Sequence, residues 1–356
     1  MINLDDMGLI KRLDPSDMLG LVENLPQQCE EAVEIAGKFN LNRKYLDGFI
    51  PANIIITGLG GSAIGGDFLR TYLVNESKVP ILINRYYHLP EFVNKNTFVI
   101  AVSYSGNTEE TLSAYQEAKK KGAKIVCLTS GGKLAGYCKS DGIPFVLIPG
   151  GLPPRASFGY QQIGLTGILE KAGIIKNKKT EIKEMISVLK SISAEMRRDV
   201  PLEKNPAKKM AVQLYGKIPV IYGSQDLTDA VALRWKCQFN ENSKSFAFNN
   251  VFPELNHNEI VGWEMPKELL KNFVVILLRD KGEHPQVKKR FEITRELLGG
   301  IACATEEVWT RGNSLFARIF SSIHTGDFVS VYLAFLNEQN PTPVKRIEEL
   351  KKRLAM

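Results

Sequence analysis

Long uninterrupted apolar runs are missing from this chain, so no stretch reaches the length that spans a bilayer, and no membrane partner is expected. The amino end carries Asp5 and Asp6 where a secretory leader needs positive charge, which makes the cytoplasm the expected location. Cysteine is scarce. Cys29, Cys127, Cys138, Cys237 and Cys303 are odd in number, widely spaced and form no C-x-x-C pair, which argues against a disulfide frame or a zinc ribbon and suits a reducing compartment. Histidine is scarcer still. His88, His257, His284 and His324 are scattered, with no His-x-His or His-x-x-x-His pair, and although Glu254 and His257 have a helical ligand spacing, Pro253, Asn256 and Asn258 around them read as loop. No metal and no other cofactor is expected. Blocks of five or six like charges are also lacking, so the net charge of +7, from 46 Lys and Arg against 39 Asp and Glu, is spread along the chain. A mildly basic protein suits an anionic partner, and the first fifty residues hold no basic recognition helix, so nucleic acid is not the expected one.

What is present is ordinary globular material: 356 residues, 44% hydrophobic and 24% charged, with 17 prolines dispersed rather than clustered, enough for two cores. After an opening helical segment at 14–39, apolar runs at 53–57, 80–84, 97–103, 124–128 and 144–148 alternate with helix candidates at 62–73, 107–121 and 133–139. That alternation with short connections is the pattern of an α/β, doubly wound parallel sheet. The stretch Pro149-Gly150-Gly151-Leu152-Pro153-Pro154 halts regular structure, and 159–215 reads as three helices. A second α/β pattern follows, with strands at 218–222, 244–248 and 273–278, helices at 226–240 and 284–297, and a helical end from 313 onward. The expected organisation is therefore a first domain at 1–155, a helical linker at 156–215 and a second domain at 216–356. Gly61-Ser62 and Gly223-Ser224 each follow an early strand, so the second half reads as a diverged echo of the first.

The sharpest local feature is the buried strand Ile54-Ile55-Ile56-Thr57 running through Gly58-Leu59-Gly60-Gly61-Ser62 into a helix. Such a turn presents backbone N–H groups at a positive helix end and can hold an anion. A Walker loop would need a Gly-Lys-Ser/Thr ending, and a nucleophile elbow would need glycine where Ile64 stands. The dinucleotide fingerprint fits better through Gly58, Gly60 and Ala63, but the next strand ends in Asn84-Arg85 rather than in an acidic ribose ligand, so Arg85 would have to grip a 2′-phosphate. A glycine turn that merely lets helix and sheet pack closely explains the segment equally well.

A second polar turn, Ser103-Tyr104-Ser105-Gly106-Asn107-Thr108-Glu109-Glu110, decides between them. Asn107 with Glu110 three residues later has the spacing of an N-cap and its return partner. Ser103, Ser105 and Thr108 then crowd three hydroxyls around a helix start, the hydrogen-bonding shell that a phosphate dianion needs. In the second half, Arg234, Lys236, Glu241, Glu254, His257 and Glu259 share one polar stretch. Such a stretch can supply a carboxylate base, an imidazole and a cation for acid–base chemistry, though a solvated helix end accounts for the same composition.

The Ser-x-Ser-Gly-x-Thr turn resembles the phosphosugar site of the sugar isomerase (SIS) domain. A longer set, Gly58-Leu59-Gly60-Gly61-Ser62, the 103–110 turn, Pro154-Arg155-Ala156, Phe239-Asn240-Glu241-Asn242, Pro253-Glu254-Leu255-Asn256-His257-Asn258 and the terminal Pro341-Thr342-Pro343 to Leu354, resembles the bifunctional phosphoglucose/phosphomannose isomerase family along nearly the whole chain. The resemblance implies two doubly wound, flavodoxin-like SIS subdomains and a homodimer with a shared active site acting on hexose 6-phosphates. It implies Gly61, Ser62, Ser103, Ser105 and Thr108 as phosphate ligands, Glu241 as general base, His257 as the ring-opening group reaching in from a partner subunit, Lys351 in ring opening or charge stabilisation, and Arg155 against the enediolate. A basic helix end that favours the helix dipole accounts for Lys351 as well, beside Lys352 and Arg353. Thr342 is the threonine nearest to one linked in the family to the mannose epimer, and no role is assigned to it. The leading expectation is a metal-independent isomerase interconverting glucose 6-phosphate and mannose 6-phosphate with fructose 6-phosphate through a cis-enediol. A phosphosugar-binding SIS sensor without turnover is the rival, and an NAD(P) oxidoreductase a weaker third.

Overall fold

A computed structural model describes residues 2–354 of the chain. It opens with α1 (Met7–Leu13), α2 (Met18–Glu23) and α3 (Leu25–Lys38). The single opening helical segment expected over 14–39 is thus two helices. The buried Asp14 carboxylate accepts from the N–H groups of Met18 and Leu19 and starts α2, while Pro26, in the first turn of α3, cannot continue a preceding helix.

The chain then runs β1 (Asn53–Thr57), α4 (Gly61–Leu73), β2 (Ile81–Asn84), β3 (Thr97–Ser103), α5 (Glu109–Lys120), β4 (Lys124–Thr129), α6 (Gly132–Asp141), β5 (Phe145–Leu147) and α7 (Phe158–Lys171). The five strands are parallel, in the order β2-β1-β3-β4-β5, the flavodoxin-like doubly wound arrangement that the family resemblance implies. Their positions agree with the apolar runs because strands covered on both faces need nearly continuous hydrophobic sequence, and all of β3 is buried. Ile55, Val99, Ala101, Ile125 and Cys127 pack against Ala114, Tyr115 and Leu134 of α5 and α6. Across the sheet, Phe68 of α4 meets Phe158 of α7 edge-on.

Beyond α7 come α8 (Lys179–Met196), α9 (Pro206–Leu214), β6 (Ile218–Ser224), α10 (Asp229–Gln238), β7 (Phe248–Phe252), α11 (Glu259–Gly262), α12 (Lys267–Leu270), β8 (Phe273–Arg279), α13 (Pro285–Leu297), β9 (Ala304–Trp309), α14 (Leu315–Leu336) and α15 (Lys345–Leu354). The second sheet, again parallel, has the order β7-β6-β8-β9, the order of the first four strands of the first sheet. The echo between the halves is therefore topological. Tyr222, Phe252, Val275, Leu277 and Phe291 form its core on one face. Helix α14 is long and apolar enough by composition to cross a membrane, but 94% of its apolar window is buried, and it packs as a core helix against α2, α9 and α10.

Three second-half expectations need correction. The strand placed at 244–248 lies four residues later, because 239–243 form a π turn closed by Lys244 in the left-handed region, with φ of 56°. β9 went unseen because Glu306 and Glu307 interrupt its apolar pattern, although Glu307 is paired with Arg279 of β8 at 2.6 Å. The terminal helix from 313 onward is two helices, separated by the segment that holds Pro341 and Pro343.

The chain separates into two compact units, Leu25–Ile186 and Met1–Asn24 with Ser187–Met356. The divisions expected at 155 and 215 fall elsewhere than these. Helix α7 packs against α3 and α4 in one unit and α9 against α14 in the other, so the stretch expected as a linker is shared between them.

Candidate active site

In the unit built on the first sheet, β1 and β3 pair side by side, Thr57 opposite Ala101, and leave the sheet in opposite directions toward α4 and α5. That is the topological switch point, where the carboxyl ends of doubly wound strands open a crevice. Both expected cradle turns lie there. Gly60, with φ of 54°, turns β1 into α4, a backbone that an L side chain rarely adopts, and no side chain caps the helix start. No side chain caps α5 either, so the expected Asn107–Glu110 capping box is not formed. Thr108 stands at the cap position, and the Asn107 side chain instead donates to the Ser105 carbonyl and accepts from the Lys133 N–H. The first-turn N–H groups of α5 are thereby left open to an anion.

The hydroxyls are set by the same turns. Ser103 Oγ, buried, donates to Thr108 Oγ1 at 2.9 Å and accepts from the Thr108 N–H, fixing both side chains. Ser62 Oγ accepts from the Tyr104 N–H at 3.3 Å, which stitches the first turn to the second. Ser105 is exposed, its Oγ accepting from the Asn107 N–H at 3.2 Å. Arg155 lies on a single 3-10 turn, Pro154–Ala156, pressed onto Gly61 so closely that a Cβ there would stand 3.1 Å from the Pro154 carbonyl oxygen. The sequence-expected residues Gly61, Ser62, Ser103, Ser105, Thr108 and the Arg155 turn are thus neighbours. Arg85, which a dinucleotide reading would need free, is paired with Asp67 of α4.

The corresponding crevice of the second sheet is filled by its own side chains. Thr228 Oγ1 accepts from the Ser224 N–H at 2.8 Å, Arg279 is paired with Glu283 and Glu307, and Asp280 accepts from Thr310 and Arg318. Gly223-Ser224 is therefore the positional counterpart of Gly61-Ser62 without its open donors.

Glu241 rides on the π turn that extends α10, a rare element frequent at functional sites. The turn is anchored on both sides of the glutamate. Asn242 Nδ2 donates to Ser330 Oγ at 2.9 Å and Ser243 Oγ donates to the Ser330 carbonyl at 2.6 Å, both on α14. Beneath it the buried Arg234–Asp327 pair, 2.7 Å apart, takes Gln238 as a third member, so Arg234 is structural. Lys244 Nζ bridges the Glu241 carbonyl at 2.7 Å and the Pro341 carbonyl at 3.0 Å, and Asn337 Nδ2 donates to the Ser243 carbonyl. These bonds bring the Pro341-Thr342 segment beside Glu241. Sequence reasoning missed Lys244, Asn337 and Ser330; the one signal for Lys244 is its place directly after the Phe-Asn-Glu-Asn-Ser run.

His257 ends a 3-10 turn, Glu254–His257, just beyond β7, and is exposed. Its neighbours are tied down: Leu255 is buried, Asn256 bonds Thr294, and Glu259 accepts from Tyr222 and Asn250. Because α10 returns along β6 before the parallel β7 begins, Glu241 lies at the starting edge of the sheet and His257 at its finishing edge. The five residues of β7 separate the two edges by about 16 Å. Lys351 stands exposed on α15, which buries none of its residues. The other nearly central histidine, His324, is fully buried, with its pKa pushed down to about 3 by desolvation and by Arg234, and its Nε2 lies 2.8 Å from Ser193 Oγ.

Comparison with known proteins finds relatives for both halves of the chain. Residues 51–139, around the cradle, match the SIS domain model, and residues 203–354 match the bacterial phospho-glucose isomerase C-terminal SIS domain. The bifunctional phosphoglucose/phosphomannose isomerase of Caldicellulosiruptor bescii is 47% identical over 95% of this chain and 99% of its own. The protein of the same name from Aquifex aeolicus is 39% identical over 85% of this chain and 90% of its own. A hypothetical protein of Thermus thermophilus shares the fold at a TM-score of 0.74, with 19% identity over 99% of this chain and 94% of its own.

Proposed function

The chain belongs to the bifunctional phosphoglucose/phosphomannose isomerase family, and on that premise we propose that it interconverts glucose 6-phosphate and mannose 6-phosphate with fructose 6-phosphate through a cis-enediolate, using no metal or organic cofactor. One observation carries this reading: Ser62, Ser103, Ser105, Thr108 and the Arg155 turn meet at the switch point between β1 and β3, beside an uncapped helix start. The 6-phosphate takes the hydroxyls and the open N–H groups there.

With the sugar opened, the Glu241 carboxylate removes the proton from C2 of the aldose. The C–H electron pair becomes the C1–C2 double bond, and the carbonyl pair moves onto O1, where the Arg155 guanidinium meets the charge. Return of the proton to C1 and transfer of the O2 proton to O1 leave the ketose. Carbon 2 of the enediolate is planar, so delivery of the proton to one face yields the glucose epimer, and a turn about C2–C3 presents the other face for mannose. Ring opening moves a proton from the O1 hydroxyl to the ring oxygen, the work of His257 with Lys351.

The separation of Glu241 from His257 along one sheet supports a site completed by a second copy of the chain, so the working form in this reading is a homodimer. A cytoplasmic setting belongs to it too, supported by cysteines that are few, widely spaced and without a C-x-x-C pair. The cradle is tested by Ser105→Ala, since Ser105 is exposed and its loss disturbs little packing. Hexose phosphate and inorganic phosphate should both bind more weakly by about 1–2 kcal/mol, the scale of one hydrogen bond to a charged group. Unchanged phosphate affinity together with weakened NADP binding would return the turn to the dinucleotide reading.

A further inference from the structure

Between the cradle and Arg155 lies the loop 149–153, with Gly150 and Gly151 at its centre, Gly151 at φ of 87°. Two adjacent glycines give a chain more freedom than any other pair, so the course of such a loop depends on what ties it. The Tyr104 side chain ties it. Tyr104 Oη donates to the Pro149 carbonyl at 3.0 Å and accepts from the Leu152 N–H at 3.0 Å, spanning the glycine pair from both sides.

The same residue is the middle of the cradle turn. Its N–H donates to Ser62 Oγ, its carbonyl accepts from the Ser130 hydroxyl at 2.6 Å and from the Ser130 N–H, and its neighbours are Ser103 and Ser105. The ring is 5% exposed, and burial pushes the phenol pKa up, so the hydroxyl keeps its proton and remains able to donate. On the far side of the Arg155 turn, Gln161 Nε2 donates to the Pro154 carbonyl and to Ser157 Oγ. The turn is therefore held from the sheet by Tyr104 and from α7 by Gln161.

We propose that Tyr104 is a positioning residue: its hydroxyl, anchored in the phosphate cradle, fixes the 149–153 loop and so sets where Arg155 stands relative to a bound phosphosugar. The inference rests on the reading of Arg155 as the group that meets the enediolate charge. Through Tyr104 the loop that leads into the Arg155 turn is coupled directly to the phosphate cradle. The hydroxyl touches no substrate in this account, and its effect is felt only through Arg155.

Tyr104→Phe in the full-length chain tests this, because it removes both loop bonds and keeps the backbone bonds of the cradle. Turnover should fall about tenfold, the cost of a small misplacement of a reacting group. Competitive inhibition by inorganic phosphate should stay within about twofold, and Arg155→Ala alone should lower turnover further. In the Arg155→Ala background, adding Tyr104→Phe should change turnover by less than about twofold, since the residue it positions is gone. Equal losses in both backgrounds, full activity of Tyr104→Phe, or a rise in the phosphate inhibition constant that matches the lost turnover would each overturn the proposal while leaving the role of Arg155 standing. A fully active Arg155→Ala enzyme would instead remove the reading on which the proposal rests, and the proposal with it. Thermal unfolding of the variants, read alongside, separates a positioning loss from a loss of folded protein.

Discussion

Replacing Glu241 by glutamine should lower turnover by roughly two to four orders of magnitude while the binding of hexose phosphate is largely kept. Glutamine preserves the shape of the side chain and its capacity to accept a hydrogen bond, and it removes only basicity. The π turn that carries Glu241 is held by Asn242 and Ser243 against Ser330, and by Lys244 against Pro341, none of which uses the Glu241 carboxylate. The loss should therefore be chemical rather than structural. Steady-state kinetics with fructose 6-phosphate, paired with a direct binding measurement, reads the two quantities separately. A nearly active Glu241→Gln enzyme beside an inactive Glu254→Gln enzyme would move the base to the neighbouring motif, where Glu254 accepts from the Asn258 side chain.

The second large effect is a recovery. Glu241 and His257 lie at opposite edges of one sheet, and in the proposed reading a sugar carbon reached by both takes His257 from a second chain. Chains carrying Glu241→Gln and chains carrying His257→Ala should each be inactive alone. Mixed under conditions where dimers exchange, they should regain about a quarter of wild-type activity, because half of the dimers are mixed and each mixed dimer has one site with both residues intact. If both residues act from the same chain, every site in the mixture is singly mutated. No recovery, with exchange verified by a tagged subunit, contradicts the shared site.

Much of the first sheet was legible because its strands are the simplest signal a sequence can carry. Ile54, Ile55 and Ile56, like 97–102, are apolar without interruption because both faces of the sheet are covered. The cradle was legible for a related reason, since hydroxyls and glycines packed between a strand end and a helix start have few purely structural uses. What hid was held by long-range pairing. β9 contains two half-buried glutamates, Glu307 paired with Arg279 of β8 and Glu306 accepting from Gln213 of α9, and the shift of β7 follows from a π turn anchored on Ser330, some ninety residues away. The capping box at Asn107 fitted local spacing, but Asn107 is drawn off to Lys133 by the neighbouring glycine turn. Tyr104 stood in plain view inside the serine motif, and its partners Pro149 and Leu152 were visible only as a place where regular structure stops.

The central claim is that this chain moves a proton between C1 and C2 of a hexose 6-phosphate. Incubation of the purified protein with fructose 6-phosphate in deuterated water, with EDTA present and the products resolved by NMR, tests it most directly. The account predicts both glucose 6-phosphate and mannose 6-phosphate, each carrying deuterium at C2 from exchange at the enediolate. Tight binding of fructose 6-phosphate with no aldose formed would contradict it and leave a phosphosugar-binding protein without turnover.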